Sequence, residues 1–214
     1  NDIASFIVSG KGEISKCYST GNAHGTELIS GFIRNFMGDM NECYSTGDVV
    51  GVNDVGGFLG TFAMGNIANC YTEGSLYANT RSGGFLVIHN GDVLENCYSS
   101  RVISGGDETL IGPGWLNVGG FIGPYHDEGI ADTCYYDYEA AGQIDINGGN
   151  PKSTIEMKNQ STFTGWDFDD IWGISGGYPY LKALQTGLNI FVITDTGLKQ
   201  GEKAFIITDT GLKE

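Results

Sequence analysis

One dipeptide, repeated five times in step with a distant phenylalanine, limits this chain to very few architectures. Cys17-Tyr18, Cys43-Tyr44, Cys70-Tyr71, Cys97-Tyr98 and Cys134-Tyr135 recur at steps of 26, 27, 27 and 37 residues, and they account for all five cysteines. Phe6, Phe32, Phe58, Phe85 and Phe121 run in register, each 11 to 13 residues before its cysteine. Gly31, Gly57, Gly84 and Gly120 precede the last four of these phenylalanines. A self-similar period in this range is the mark of a solenoid, in which each unit has an apolar side that only its neighbours can seal.

Within one unit, apolar patches near Gly-Phe-Leu-Gly, Ile-Ala-Asn-Cys-Tyr and Ser-Leu-Tyr-Ala predict three short strands separated by glycine corners, that is, one coil of a β-helix. The 35 glycines show no Gly-X-Y period, which favours frequent tight turns in an all-β fold. The position three before each cysteine holds Ile14, Met40, Ile67, Leu94 and Ala131 and is expected to face inward. The position just before it holds Lys16, Glu42, Asn69, Asn96 and Thr133 and is expected to face out. Alternation then places the cysteines inside as buried free thiols and the tyrosines outside, unless a bend intervenes. With coils about 4.8 Å apart, equivalent residues form ladders. The long last step marks an insertion around residues 103 to 117, containing Trp115 and expected to form a loop.

The predicted fold is all-β: a right-handed parallel β-helix of about five coils over residues 1–142, a cap over 143–184, and a strand-rich C-terminal arm over 185–214. In that arm Ile193-Thr-Asp-Thr-Gly-Leu-Lys199 is repeated as Ile207-Thr-Asp-Thr-Gly-Leu-Lys213, each copy opening on the last residue of an apolar triplet that begins at Phe191 or Phe205. Both copies read as strands, with Gln200-Gly-Glu-Lys203 as a turn between them. Solenoid ends and sheet edges recruit strands, so Phe191, Ile193, Phe205 and Ile207 are the candidate assembly residues.

Gly-Phe-Leu-Gly at 57–60 and Gly-Phe-Ile-Gly at 120–123, each followed by Asn-Cys-Tyr or Thr-Cys-Tyr, resemble the GLUG-motif repeat family across roughly residues 5 to 140. The other copies depart from the four-residue core with Ser-Phe-Ile-Val, Gly-Phe-Ile-Arg and Gly-Phe-Leu-Val but keep the spacing. Ser161 to Phe168, Trp172 and Tyr178 to Leu181 look like the segment that closes such arrays. The resemblance implies a bacterial surface β-solenoid, as in adhesin-like proteins and the non-catalytic parts of immunoglobulin A metallopeptidases. It implies no peptidase activity, because His-Glu-x-x-His is absent and His24, His89 and His126 lack zinc spacing.

Charge narrows the partners. Eleven basic against 26 acidic residues give −15, which disfavours nucleic acid and anionic lipid. No apolar run is long enough for a membrane-spanning helix, so no membrane insertion is expected. The start at Asn1, without an initiator Met or a signal peptide, suggests a processed protein or an excised domain, and the resemblance to GLUG-motif repeats implies an extracellular or cell-surface setting. A water-facing ladder of Tyr18, Tyr44, Tyr71, Tyr98 and Tyr135 is the candidate ligand-binding surface, because sugar rings stack on such aromatics; a covered structural stack is its alternative.

No cofactor and no metal site are expected. The one weak exception is calcium at Asp145-Ile-Asn147-Gly-Gly-Asn150, which lacks the closing glutamate of an EF-hand and reads more simply as a turn. Asp167, Asp169 and Asp170 beside Trp166 and Trp172 are the only grouped acids worth testing for catalysis, and they too suit a turn. The expected function is non-catalytic adhesion or extracellular scaffolding with a surface glycan or protein as partner. A self-assembling filament subunit joined through the arm comes second, and a polysaccharide-active enzyme third.

Overall fold

The computed structural model describes residues 3–90, 93–105, 118–126, 131, 133–142, 144, 148–185, 192–194, 206–208 and 211–213. Parallel strands stack coil on coil into a β-helix, in the register set by the repeat. Tyr18 pairs with Tyr44, Tyr44 with Tyr71, Tyr71 with Tyr98 and Tyr98 with Tyr135. Four coils are complete and a fifth is partial, adding strands Val118–Gly119, Ile122–His126 and Tyr135–Asp137.

Each complete coil carries five short strands, where the apolar pattern suggests three. The third coil runs Asn53–Gly56, Leu59–Met64, Asn66–Ala68, Tyr71–Thr72 and Ser75–Ala78. Two kinds of sharp corner make the extra divisions. One is the glycine ladder Gly12, Gly38 and Gly65, with φ of 121°, 134° and 104°, where a Cβ on Gly38 would lie 2.0 Å from Gly12 O. The other is the residue before the cysteine: Lys16, Glu42, Asn69 and Asn96 all have φ of 51° to 53°. A left-handed residue interrupts strand alternation, and it is this corner that turns the first four cysteines in and their tyrosines out.

The interior is a set of ladders. Phe6, Phe32, Phe58, Phe85 and Phe121 stack with ring centroids 4.8 to 4.9 Å apart. Cys17, Cys43, Cys70, Cys97 and Cys134 are fully buried free thiols beside them. Cys43, Cys70 and Cys97 each donate to the carbonyl two residues back, at 3.1 to 3.3 Å. Side chains in parallel register point alike, which explains why neighbouring thiols do not bridge. A second apolar row, including Ile29, Val49, Val55 and Leu76, fills the other lobe of the coil.

After the fifth tyrosine the chain leaves the coil pattern. Asp137 caps the short helix Tyr138–Ala141 by accepting from Glu139 N and Ala140 N, and Gly142 ends it at φ 74°. Asn150–Lys152, within the segment expected to be cap, adds a further parallel rung to the tyrosine sheet. Ser153 and Glu156 form a capping box on helix Thr154–Met157. The remaining cap is a turn-rich segment closed by the antiparallel pair Trp172–Gly173 and Tyr180–Leu181.

Candidate functional site

The tyrosines leave the coil on its outer side and stack: Tyr18 on Tyr44 at 4.9 Å, Tyr44 on Tyr71 at 4.8 Å, Tyr71 on Tyr98 at 5.0 Å. The five do not form a water-facing stripe. Tyr71, Tyr98 and Tyr135 are 5%, 0% and 7% exposed, covered by Met157, Phe163, Trp166, Trp172, Leu181 and Leu184 of the cap. The reason is hydrophobic: a row of stacked phenol rings is a large apolar surface, and the cap's tryptophans fill it. Only Tyr18 and Tyr44, half-buried at the near end of the ladder, retain a surface that a ligand could touch.

Polar groups seam the cap to the stack. Tyr98 Oη lies 2.6 Å from both Glu73 Oε1 and Pro179 O. Tyr178 Oη donates to Asp137 Oδ2 at 2.6 Å, and Thr154 Oγ1 donates to the same oxygen at 2.7 Å. Trp172 Nε1 donates to Asn69 Oδ1, and Trp166 Nε1 to Thr133 O. Burial pushes the Glu73 carboxyl above its ordinary range, against the opposing pull of the Tyr98 hydrogen bond and of Arg101. Burial also raises Tyr71, Tyr98 and Tyr178, with Glu73 adding to all three and Asp137 to Tyr178.

Arg101 is the residue that reasoning from the sequence missed. It is 1% exposed, yet all its donor nitrogens find partners: Nε donates to Thr72 Oγ1, Nη1 to Gly47 O and Ser75 O, and Nη2 to Ser45 Oγ and Gly57 O. Burial pulls its pKa down to about 9, with Asp48 and Glu73 acting the other way. The signal was present: four residues after the cysteine, the first three copies carry Gly21, Gly47 and Gly74, and the fourth carries Arg101. The side chain runs back along the stack through space left by glycine. A Cβ on Gly31, Gly57 or Gly74 would come within 2.9, 3.0 or 3.2 Å of the guanidinium group.

The grouped acids of the cap hold a turn. Asp167 Oδ1 accepts from the backbone N–H of Asp169 and of Asp170. Among the described residues no group of three or more His, Cys, Asp or Glu side chains is gathered to hold a metal. Asp145 and Asn147 of the calcium-like segment lie outside the described residues, as do residues 106–117 of the insertion with Trp115; its first residues, 103–105, are not loop but continue the strand Val102–Gly105, paired in parallel with Ser75–Ala78. His89 is buried with its ring against Phe62, 5.8 Å between centroids.

Of the candidate assembly residues, Phe191 and Phe205 lie outside the described residues, as does the turn 200–203. Ile193 sits in strand Val192–Thr194, which pairs antiparallel with Glu13–Ser15 of the first coil, Ile193 opposite Ile14. Ile207 sits in Ile206–Thr208, which forms a hairpin with Gly211–Lys213. The two copies of the repeated motif therefore pair differently, one on the solenoid edge and one on its own continuation.

Two open grooves of about 630 Å³ each mark the outer surface. One crosses the first coils and is lined by Ser9, Lys11, Leu28, Arg34, Met37 and Thr61 among others. The other lies on the cap, with Phe163, Trp166 and Phe168 under a rim that includes Asn159, Ser161 and Asp169. Among the described residues no helix is long and apolar enough to cross a membrane.

No family model matches the chain, and no solved structure matches it. A curated protein of Evansella cellulosilytica described as "Putative Gly-rich membrane protein" is 47% identical over 73 residues, 31% of this chain. The match covers 8% of that protein's length, so this chain is similar to a small part of a much longer Gly-rich sequence.

Proposed function

We propose that this chain is a non-catalytic, surface-displayed repeat module that serves adhesion or scaffolding at the outside of a cell. The observation that carries the reading is the pair of ladders: five phenylalanines, and the tyrosines from Tyr18 to Tyr98, stacked at about 5 Å from coil to coil make a stiff body to which the cap's indoles are hydrogen-bonded. The described acids that sequence spacing grouped are engaged in a turn, which argues for display over catalysis. The partial likeness to a longer Gly-rich membrane protein and the resemblance to GLUG-motif repeats support a place within a large surface protein. A surface glycan or protein is the partner, met by the outer grooves and by Tyr18 and Tyr44.

The test is a panel of immobilised polysaccharides and matrix proteins, read for retention of the chain and, separately, for released sugar. The reading expects retention without product, and retention on at least one surface. Sugar release that disappears in Asp167→Asn or Asp169→Asn would make the chain an enzyme. Absence of retention on every surface would remove the adhesive half of the reading.

A filament subunit is the second reading, favoured by the strand that the arm lays on the edge of the first coil. Made between chains, the same pairing gives a head-to-tail assembly. Light scattering and negative-stain microscopy on the full chain, beside a version ending at Leu184, test it: oligomers that vanish on truncation support the filament, and monomers in both cases exclude it.

A further inference from the structure

Two acceptors compete for one hydrogen at the centre of the cap. Tyr98 Oη is 2.6 Å from Glu73 Oε1, on the coil below, and 2.6 Å from Pro179 O, on the cap. A phenol carries one hydrogen and also accepts, whereas a carbonyl oxygen only accepts. If Glu73 is ionised, both neighbours of Tyr98 Oη are pure acceptors, and one of the two contacts is oxygen against oxygen without a proton. If Glu73 is protonated, every group is served: the carboxyl donates to Tyr98 Oη and Tyr98 donates to Pro179 O. Tyr98 is fully buried, so water does not make up the deficit.

We propose that Glu73 is a proton-operated latch between stack and cap: protonated, it frees the Tyr98 hydrogen for Pro179 O and fastens the cap; ionised, it takes that hydrogen and lets Pro179 go. The proton moves only between solvent and the Glu73 carboxyl, and no covalent bond other than O–H changes. The groups that face Glu73 are few. Tyr71 and Tyr98 come from the tyrosine sheet and Tyr178 from the cap, all held above the ordinary tyrosine range and therefore neutral. Arg101, from the chain after the fourth tyrosine strand, is the cation among the described residues that acts on Glu73, and it keeps its charge past neutrality. Asp137 stands behind Tyr178, and Lys158 lies 5.1 Å above the Tyr178 ring.

The sign follows from burial. Glu73 has a raised pKa in the folded chain, so it contributes stability that is complete below the ordinary glutamate value of about 4.3 and is lost as pH rises through the folded value. The latch is closed in acid and open toward neutrality.

Glu73→Gln places an amide donor where the carboxyl proton sits and removes the titration, so this variant stays latched at every pH. The experiment compares hydrogen exchange of the cap segment 172–181 in the wild-type full chain and in Glu73→Gln, at matched pH from about 4 to about 8. The result expected is equal protection at the acid end and about five-fold faster cap opening in the wild type at the neutral end, the factor one hydrogen bond gives. Equal protection at both ends overturns the latch. A second measurement needs no variant: the Glu73 side-chain carboxyl followed by carbon NMR should titrate above 4.3, and titration at or below that value would show an ionised carboxylate accepting from Tyr98. Either failure leaves the surface-module reading untouched, since retention on a ligand surface does not depend on the latch.

Discussion

Trp172 Nε1 donates to Asn69 Oδ1 over 3.2 Å, a bond between residues 103 apart in the chain that ties the cap to a left-handed corner of the third coil. The same indole lies 6.1 Å from the rings of both Tyr71 and Tyr98, so it contributes packing as well as a hydrogen bond. Trp172→Phe keeps most of the apolar contact and loses the bond, and is expected to cost about 1 kcal/mol. Trp172→Ala removes both and is expected to cost about 3 to 5 kcal/mol. Urea unfolding of the three proteins checks the order; equal costs would mean that the bond, and not the ring, holds the cap.

Positive φ alone does not decide what a glycine is for. Gly38 and Gly142 both have it, at 134° and 74°, but a Cβ on Gly38 would lie 2.0 Å from the backbone oxygen of Gly12, whereas one on Gly142 meets nothing within 4 Å. Gly142→Ala is expected to cost the left-handed strain alone, about 1 kcal/mol. Gly38→Ala must also push neighbouring coils apart and is expected to cost about 3 kcal/mol or more. Thermal unfolding of the two variants, followed by far-ultraviolet circular dichroism, gives the comparison.

What could be read from the sequence was whatever repeats. The Cys-Tyr and Phe registers fix the stacking direction, the inward thiols and the outward tyrosines, because each is a local pattern copied five times. The division of each coil into five strands was hidden, since strands of two or three residues carry no measurable alternation and the corner at Lys16 or Glu42 looks like any polar surface position. The cover over Tyr71, Tyr98 and Tyr135 was hidden for another reason: it depends on where residues 157 to 184 dock, and no spacing within the repeat records that. Arg101 stood in plain view as a break in a glycine column, yet a cation in an acidic chain reads as a surface residue until its partners are seen.

The left-handed corner offers a way to stabilise the chain. Asn69 and Asn96 suit φ near 51°, because asparagine tolerates this region, whereas Lys16 at 53° is strained by its Cβ. Its compensation is a long ion pair with Glu42, 3.7 Å, in which the lysine side chain is 53% and the glutamate side chain 11% exposed; water reaches the ammonium and weakens the pair, and Asn41 Nδ2 also donates to the carboxylate. Lys16→Asn is therefore expected to raise stability by about 0.5 to 1 kcal/mol, even though it removes a salt bridge. Urea midpoints at low and high salt check it; a loss at low salt that vanishes at high salt would show that the pair outweighs the strain.

Arg101 tests how the far coils are joined. Its side chain reaches from the fourth coil to Gly47 O and Ser45 Oγ in the second, and to Thr72, Ser75 and Gly57 in the third. The five N–H groups of a guanidinium match five acceptors, whereas an ammonium has three donors on a single atom and cannot span them. Arg101→Lys therefore keeps the charge and still leaves buried acceptors unserved, at an expected cost of about 2 to 4 kcal/mol. Arg101→Met removes the charge, fills a similar volume and leaves all five acceptors without this donor, and its cost is expected to equal or exceed that of lysine. If methionine proves the milder change, the burden at this site is the buried charge and not the unserved carbonyls; urea unfolding of both variants, with the wild type alongside, separates the two.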